Sequence, residues 1–102
     1  MTTSIHGFQK QIEDIYIERD RQRGIDASFR WLAEEVGELA KAIRRVQETP
    51  DPDVRDNLRE EFADVIAWIN TIATMTGVDL SEAVEDRYAN GCPKCTSTPC
   101  AC

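Results

Sequence analysis

Apolar residues recur at three- and four-residue spacing through most of the chain, the mark of amphipathic helices. Ile5, Phe8, Ile12 and Ile15 predict a first helix over residues 5–22, and "RQRGI" ends it with Gly24 as a left-handed stop. Asp26 is the expected cap of a second helix that runs to about Glu48. Its apolar line is Phe29, Leu32, Val36, Leu39, Ile43 and Val46. "ETPDPD" then breaks the pattern, because Pro50 and Pro52 disfavour helix in the residues before them. Asp51 can cap a third helix with Pro52 at its first position, lined on one side by Leu58, Phe62, Val65, Ile69 and Ile72. Gly77 interrupts it. "DLSE" offers Asp79 as a cap with Glu82 three residues on, a capping-box pattern that opens a short fourth helix to about Ala89. No strand-like alternation and no repeat appears. The expectation is all-α: a four-helix-type bundle over residues 1–90, with a cysteine-rich tail over 91–102.

The second and third helices carry acids in a matched arrangement. At 100° per residue from Leu32, Trp31, Glu35, Glu38 and Ala42 fall near ~260°, ~300°, ~240° and ~280°, a stripe beside the apolar line, while Glu34 falls near ~200°. Measured from Leu58, Glu61, Asp64 and Trp68 fall near ~300°, ~240° and ~280°, with Glu60 near ~200°. Each helix thus presents two carboxylates on the same flank, and antiparallel packing would bring the pairs together. Four carboxylates so close cannot all stay ionised without a counter-charge. Mg²⁺ is the hard cation that takes oxygen ligands and keeps waters for a phosphate to replace. The plainer reading is a solvated helix surface, since Glu is a good helix former and Lys41 and Arg45 lie near Glu34.

Charge and length narrow the partners. The net charge is -7, from 19 acids against 12 bases, which argues against binding a nucleic-acid polymer. No run approaches the ~18 apolar residues of a membrane span. "MTTSIHGFQK" has no apolar core of a secretory signal, so the expected compartment is cytoplasmic. A chain of 102 residues fits one domain with a modest core. The apolar lines are longer than one such chain can readily cover, which predicts a homodimer or homotetramer.

"EEVGE" followed by "EFAD" resembles the EExxE…ExxD signature of MazG-like, all-alpha nucleotide pyrophosphohydrolases, over about residues 5–90. The resemblance implies Mg²⁺ ligands at Glu35, Glu38, Glu61 and Asp64, the four residues that the helical wheel selects, with Glu34 as a helper. It implies hydrolysis of nucleoside triphosphates to monophosphate and pyrophosphate, with Glu38 or Glu35 taking the proton of the attacking water. It also implies dimers or paired dimers that complete the site between chains. Trp68 matches an aromatic that stacks on the base, and it suits a core or interface position equally. "EDRYAN" supplies Arg87 and Asn90 where relatives reach phosphate; Arg87 could equally be a surface arginine paired with a glutamate. Lys41 and Arg44 stand near the mouth of such a site, though the wheel does not favour them. Two other readings compete: a non-catalytic helical oligomerisation or zinc-binding module, and a phosphoribosyl-ATP pyrophosphohydrolase.

All four cysteines lie in "CPKCTSTPCAC", as Cys92, Cys95, Cys100 and Cys102. The first pair has zinc-ligand spacing, and four thiolates this close could close on one Zn²⁺. The second pair is tight, and no glycine follows the first to relax a knuckle. C-x-x-C is also a thiol-exchange spacing, so redox-active or structural disulfides compete, as does a disordered tail. The resemblance does not cover this segment.

Overall fold

Ser4, Asp51 and Asp79 each start a helix by accepting a hydrogen bond from a backbone N–H three residues on, from Gly7 at 2.8 Å, Val54 at 3.0 Å and Glu82 at 3.1 Å. The coordinates are a computed structural model and describe residues 3–49 and 51–102. The helices are α1 (Ile5–Arg23), α2 (Ile25–Glu48), α3 (Pro52–Met75) and α4 (Leu80–Tyr88), and the described residues contain no strand. In "ETPDPD", Pro52 opens α3 as expected; Pro50 lies outside the described residues.

Asp26 is not the cap of α2. Gly24 alone both ends α1 and begins α2, at φ 84° and ψ 169°, a region open essentially to glycine. Its N–H donates to the Asp20 carbonyl at 2.9 Å, and its own carbonyl accepts from the Ser28 hydroxyl at 2.8 Å. Asp26 sits in the first turn of α2, where a negative charge complements the helix dipole.

α2 and α3 form the main pair. Trp31 lies against Trp68 and Glu35 lies near Glu61 and Asp64, so rising numbers on one helix meet falling numbers on the other: the pair is antiparallel. α1 crosses α3 steeply. Gln9 and Asp20 stand about 16 Å apart along α1 by helical rise, yet their side chains bond Thr74 and Thr71, about 4.5 Å apart along α3.

Among the described residues, Ile12 is the one member of the predicted lines that is fully buried within the chain. Buried apolar side chains are Ile12, Ala42 and Ala73; Gln9, Asp20, Ser28, Asn70 and Thr71 are buried polar ones. On α2 the inward stripe is Ser28, Glu35 and Ala42 at seven-residue spacing, with Glu35 half-buried. The predicted core line lies beside it: Phe29 is 60% exposed and Val36 48%, while Leu32, Leu39 and Val46 are half-buried. On α3, Phe62 is 47% exposed and Ile69 is also exposed. The fully buried positions of α2 carry small side chains, and part of the bulky line is left exposed.

The whole molecule carries the same imbalance. Its surface is 7607 Å², where a compact chain of this mass exposes about 5,800 Å². Its radius of gyration is 16.1 Å against about 13 Å for a compact domain of this length. No described helix is long and apolar enough to cross a membrane.

Gln9 ties α1 to the turn between α3 and α4. Its amide nitrogen donates to the Val78 carbonyl at 2.8 Å and the Thr74 hydroxyl at 3.2 Å, and its amide oxygen accepts from the Leu80 N–H at 2.9 Å. Gln9→Ala strands two part-buried backbone groups, so it should lower unfolding free energy by about 1–3 kcal/mol. Urea denaturation checks this; an unchanged midpoint would show that the clamp contributes nothing.

Candidate active site

Three of the predicted acids converge. Glu35 from α2 and Glu61 and Asp64 from α3 each offer a carboxylate oxygen, and these oxygens all lie within 4.8 Å of one another. The antiparallel pairing does this, because Glu61 and Asp64 are one turn apart on α3 and face the middle of α2. Glu35 and Glu61 are half-buried, and one oxygen of each is buried with no hydrogen-bond partner. Burial, then the charges of Glu61 and Asp64, hold the Glu35 carboxyl above its ordinary range.

Such an arrangement is costly unless something donates to it. A hard cation meets the need: it takes carboxylate oxygens as ligands, and the three oxygens lie close enough together to share one ion. The two orphaned oxygens and the all-carboxylate donor set therefore fit Mg²⁺ better than a soft metal.

Glu38 is exposed and stands outside the converging three, although its charge still adds to the rise at Glu35. Glu34 is exposed. Lys41, Arg87 and Asn90 are exposed too, and none lines the pocket beside Asp64.

That pocket, of about 270 Å³, is lined by Tyr16, Arg19, Asp20, Arg23, Asp64, Ala67, Trp68 and Thr71. Trp68 stacks on Trp31 with ring centres 6.1 Å apart and planes 8° from parallel. The Arg23 guanidinium lies 4.7 Å from the Trp68 ring centre, a cation–π contact. Arg23 is held there by Asp20 at 2.9 Å, and Asp20, 3% exposed, also accepts from the Thr71 hydroxyl at 3.1 Å. The aromatic on the acid flank was legible in the sequence. The arginines were not singled out, although Tyr16, Arg19, Asp20 and Arg23 share one face of α1 at helical spacing.

An all-α chain whose two long antiparallel helices gather carboxylates beside a pocket with arginines and an aromatic ring has the parts of a metal-assisted phosphate-ester or anhydride hydrolase. The profile of the MazG nucleotide pyrophosphohydrolase domain matches residues 23–94, and the chain belongs to that family. Its general activity is nucleotide pyrophosphohydrolysis, and its members typically depend on a divalent metal. No curated protein matches the chain.

Proposed function

We propose that this protein hydrolyses nucleoside triphosphates to nucleoside monophosphate and pyrophosphate in a Mg²⁺-dependent reaction. The observation that carries the reading is the convergence of Glu35, Glu61 and Asp64 beside a pocket lined by Arg19, Arg23 and Trp68. Glu35, Glu61 and Asp64 would hold the ion, with Glu38 one turn beyond Glu35 at its edge. Bound there, Mg²⁺ would draw charge from the phosphate oxygens and offset the crowding of the acids.

The chain's own groups supply the rest. Trp68, which lines the pocket and packs on Trp31 and Arg23, is the aromatic that would contact a base. Arg19 and Arg23 offer guanidinium forks to phosphate oxygens. Water attacks the α-phosphorus, the bond from that phosphorus to the bridging oxygen breaks, and pyrophosphate leaves. The proton of the water would pass to a carboxylate, Glu38 or Glu35, of which Glu38 is the exposed one. Arg87, Asn90 and Lys41, which do not line the pocket beside Asp64, are left without a role in this reading.

Assembly belongs to the same proposal. The surface in excess of a compact chain, about 1,800 Å², is the scale each subunit contributes to a large permanent interface. Phe29, Val36 and Ile43 on α2 and Phe62 and Ile69 on α3 supply its apolar side chains. The protein is a homodimer or homotetramer in this reading.

A panel of common and modified nucleoside triphosphates, with products separated by chromatography, tests the function. Monophosphate and pyrophosphate should form with Mg²⁺ and not with a chelator present. Diphosphate and orthophosphate as products, or no turnover of any member, would overturn it. In the same assay Arg19→Ala should raise KM about tenfold or more with kcat little changed, the scale of one charge-assisted hydrogen bond. An unchanged KM would remove Arg19 from the phosphate site.

A further inference from the structure

The fourteen residues after α4 do not enter the acidic site, yet they gather every cysteine of the chain. Cys92, Cys95, Cys100 and Cys102 are free thiols whose sulphurs all lie within 4.8 Å of one another. Cys100 stands 3.3 Å from Cys102, 3.6 Å from Cys92 and 3.9 Å from Cys95, and Cys92 stands 3.9 Å from Cys102. A tetrahedral ion with 2.3 Å bonds to four thiolates sets its sulphurs about 3.8 Å apart. The four separations bracket that value.

The backbone is shaped around the sulphurs. The Cys92 N–H donates to the Ser97 carbonyl at 3.1 Å, and the Thr96 N–H donates to the Cys92 carbonyl at 2.7 Å, so the C-x-x-C segment closes into a tight turn. Gly91, at φ 93°, lies where a side chain would meet the Thr98 hydroxyl at 2.6 Å and the Ser97 carbonyl oxygen at 2.9 Å. Thr96, just after the second cysteine, is left-handed at φ 55°, a conformation that costs a β-branched residue and persists only where its surroundings hold it. The Ala101 N–H donates to the Cys95 sulphur at 3.3 Å, an amide bond to a ligand atom of the kind that favours a thiolate.

We propose that Cys92, Cys95, Cys100 and Cys102 bind one zinc ion, which closes residues 91–102 into a metal-held knuckle separate from the acidic site. Soft thiolates select zinc over Mg²⁺, and the four-sulphur shell leaves no open position, so the ion is structural.

The test uses the full chain purified under reducing conditions. Elemental analysis should give near one zinc per chain, and Co²⁺ exchanged into the site should show the intense sulphur-to-metal absorption and visible bands of a tetrahedral four-thiolate complex. Cys95→Ser and Cys100→Ser should each lose that spectrum while far-ultraviolet circular dichroism keeps the helical signal of wild type. Glu61→Gln should retain it, which separates this metal from one held by the carboxylates. In wild type, removal of zinc by a chelator should expose four thiols to a thiol reagent without loss of helix. A zinc-free protein that takes up no Co²⁺, a disulfide within the tail as purified, or Cys variants that bind as wild type does would overturn the proposal.

Discussion

Glu35→Gln should lower kcat/KM for Mg²⁺-dependent pyrophosphate release at least ~100-fold, the scale on which lost electrostatic preorganisation is usually felt. The substitution keeps size and helix propensity and removes one charge from the centre of the cluster. Stability should move the other way. Burial first, and the charges of Glu61 and Asp64 next, hold the Glu35 carboxyl above its ordinary range in the folded chain. The folded state therefore binds a proton more tightly than the unfolded chain does. Stability from this group is greatest below the unfolded value and is lost as pH rises through the raised one. At neutral pH the metal-free wild type carries that penalty and Glu35→Gln does not, so the variant should melt no lower than wild type without metal. Added Mg²⁺ should raise the melting temperature of wild type and leave the variant nearly unmoved. Glu34→Gln, at an exposed position off the cluster, should change kcat/KM by less than ~3-fold, since surface changes away from a site are nearly neutral. Full activity in Glu35→Gln would return these acids to the role of helix surface.

Phe29→Asp should break the assembly. Phe29 is 60% exposed on the apolar line of α2, where a partner chain would cover it. A carboxylate forced into that contact has no cation on the line to meet it, so the dissociation constant should rise at least ~100-fold. Sedimentation equilibrium reads this directly: wild type at twice or four times the chain mass, the variant at one chain mass. The helices should persist in the variant, because Phe29 is mostly exposed within the chain and adds little to its internal packing. A monomeric wild type with full activity would contradict the assembly.

How far the sequence reaches can be judged from these same residues. The breaks and caps were legible because they are local: Asp51, Pro52 and Asp79 act on their own helix ends, and the structure keeps them there. Asp26 misled because Gly24 alone makes the α1–α2 junction, in a conformation only glycine adopts, and leaves no room for a later cap. The acid flank was legible because Glu35 and Glu38 on α2 and Glu61 and Asp64 on α3 repeat the same two offsets from their apolar lines. The wheel could not say that Glu38 would stand apart, since that depends on how α2 and α3 are rolled against each other. Nor could it tell which of two stripes on α2 faces the same chain. Phe29 and Val36 look like core by hydrophobicity, yet Ser28 and Ala42 are the residues of α2 fully buried within the chain. Arg19 and Arg23 reach the pocket only through the steep crossing of α1 over α3, and helical periodicity within α1 carries no information about that angle.

The central claim is that Glu35, Glu61 and Asp64 together hold a divalent cation. Electron paramagnetic resonance of Mn²⁺, used in place of Mg²⁺, counts that ion directly in wild type and in the triple variant Glu35→Gln, Glu61→Gln, Asp64→Asn, both checked for helix content. The account predicts saturable Mn²⁺ binding in wild type, displaced by excess Mg²⁺, and its loss in a triple variant that remains folded. Equal Mn²⁺ binding by a folded triple variant, or none by wild type even with a non-hydrolysable nucleoside triphosphate present, would contradict it.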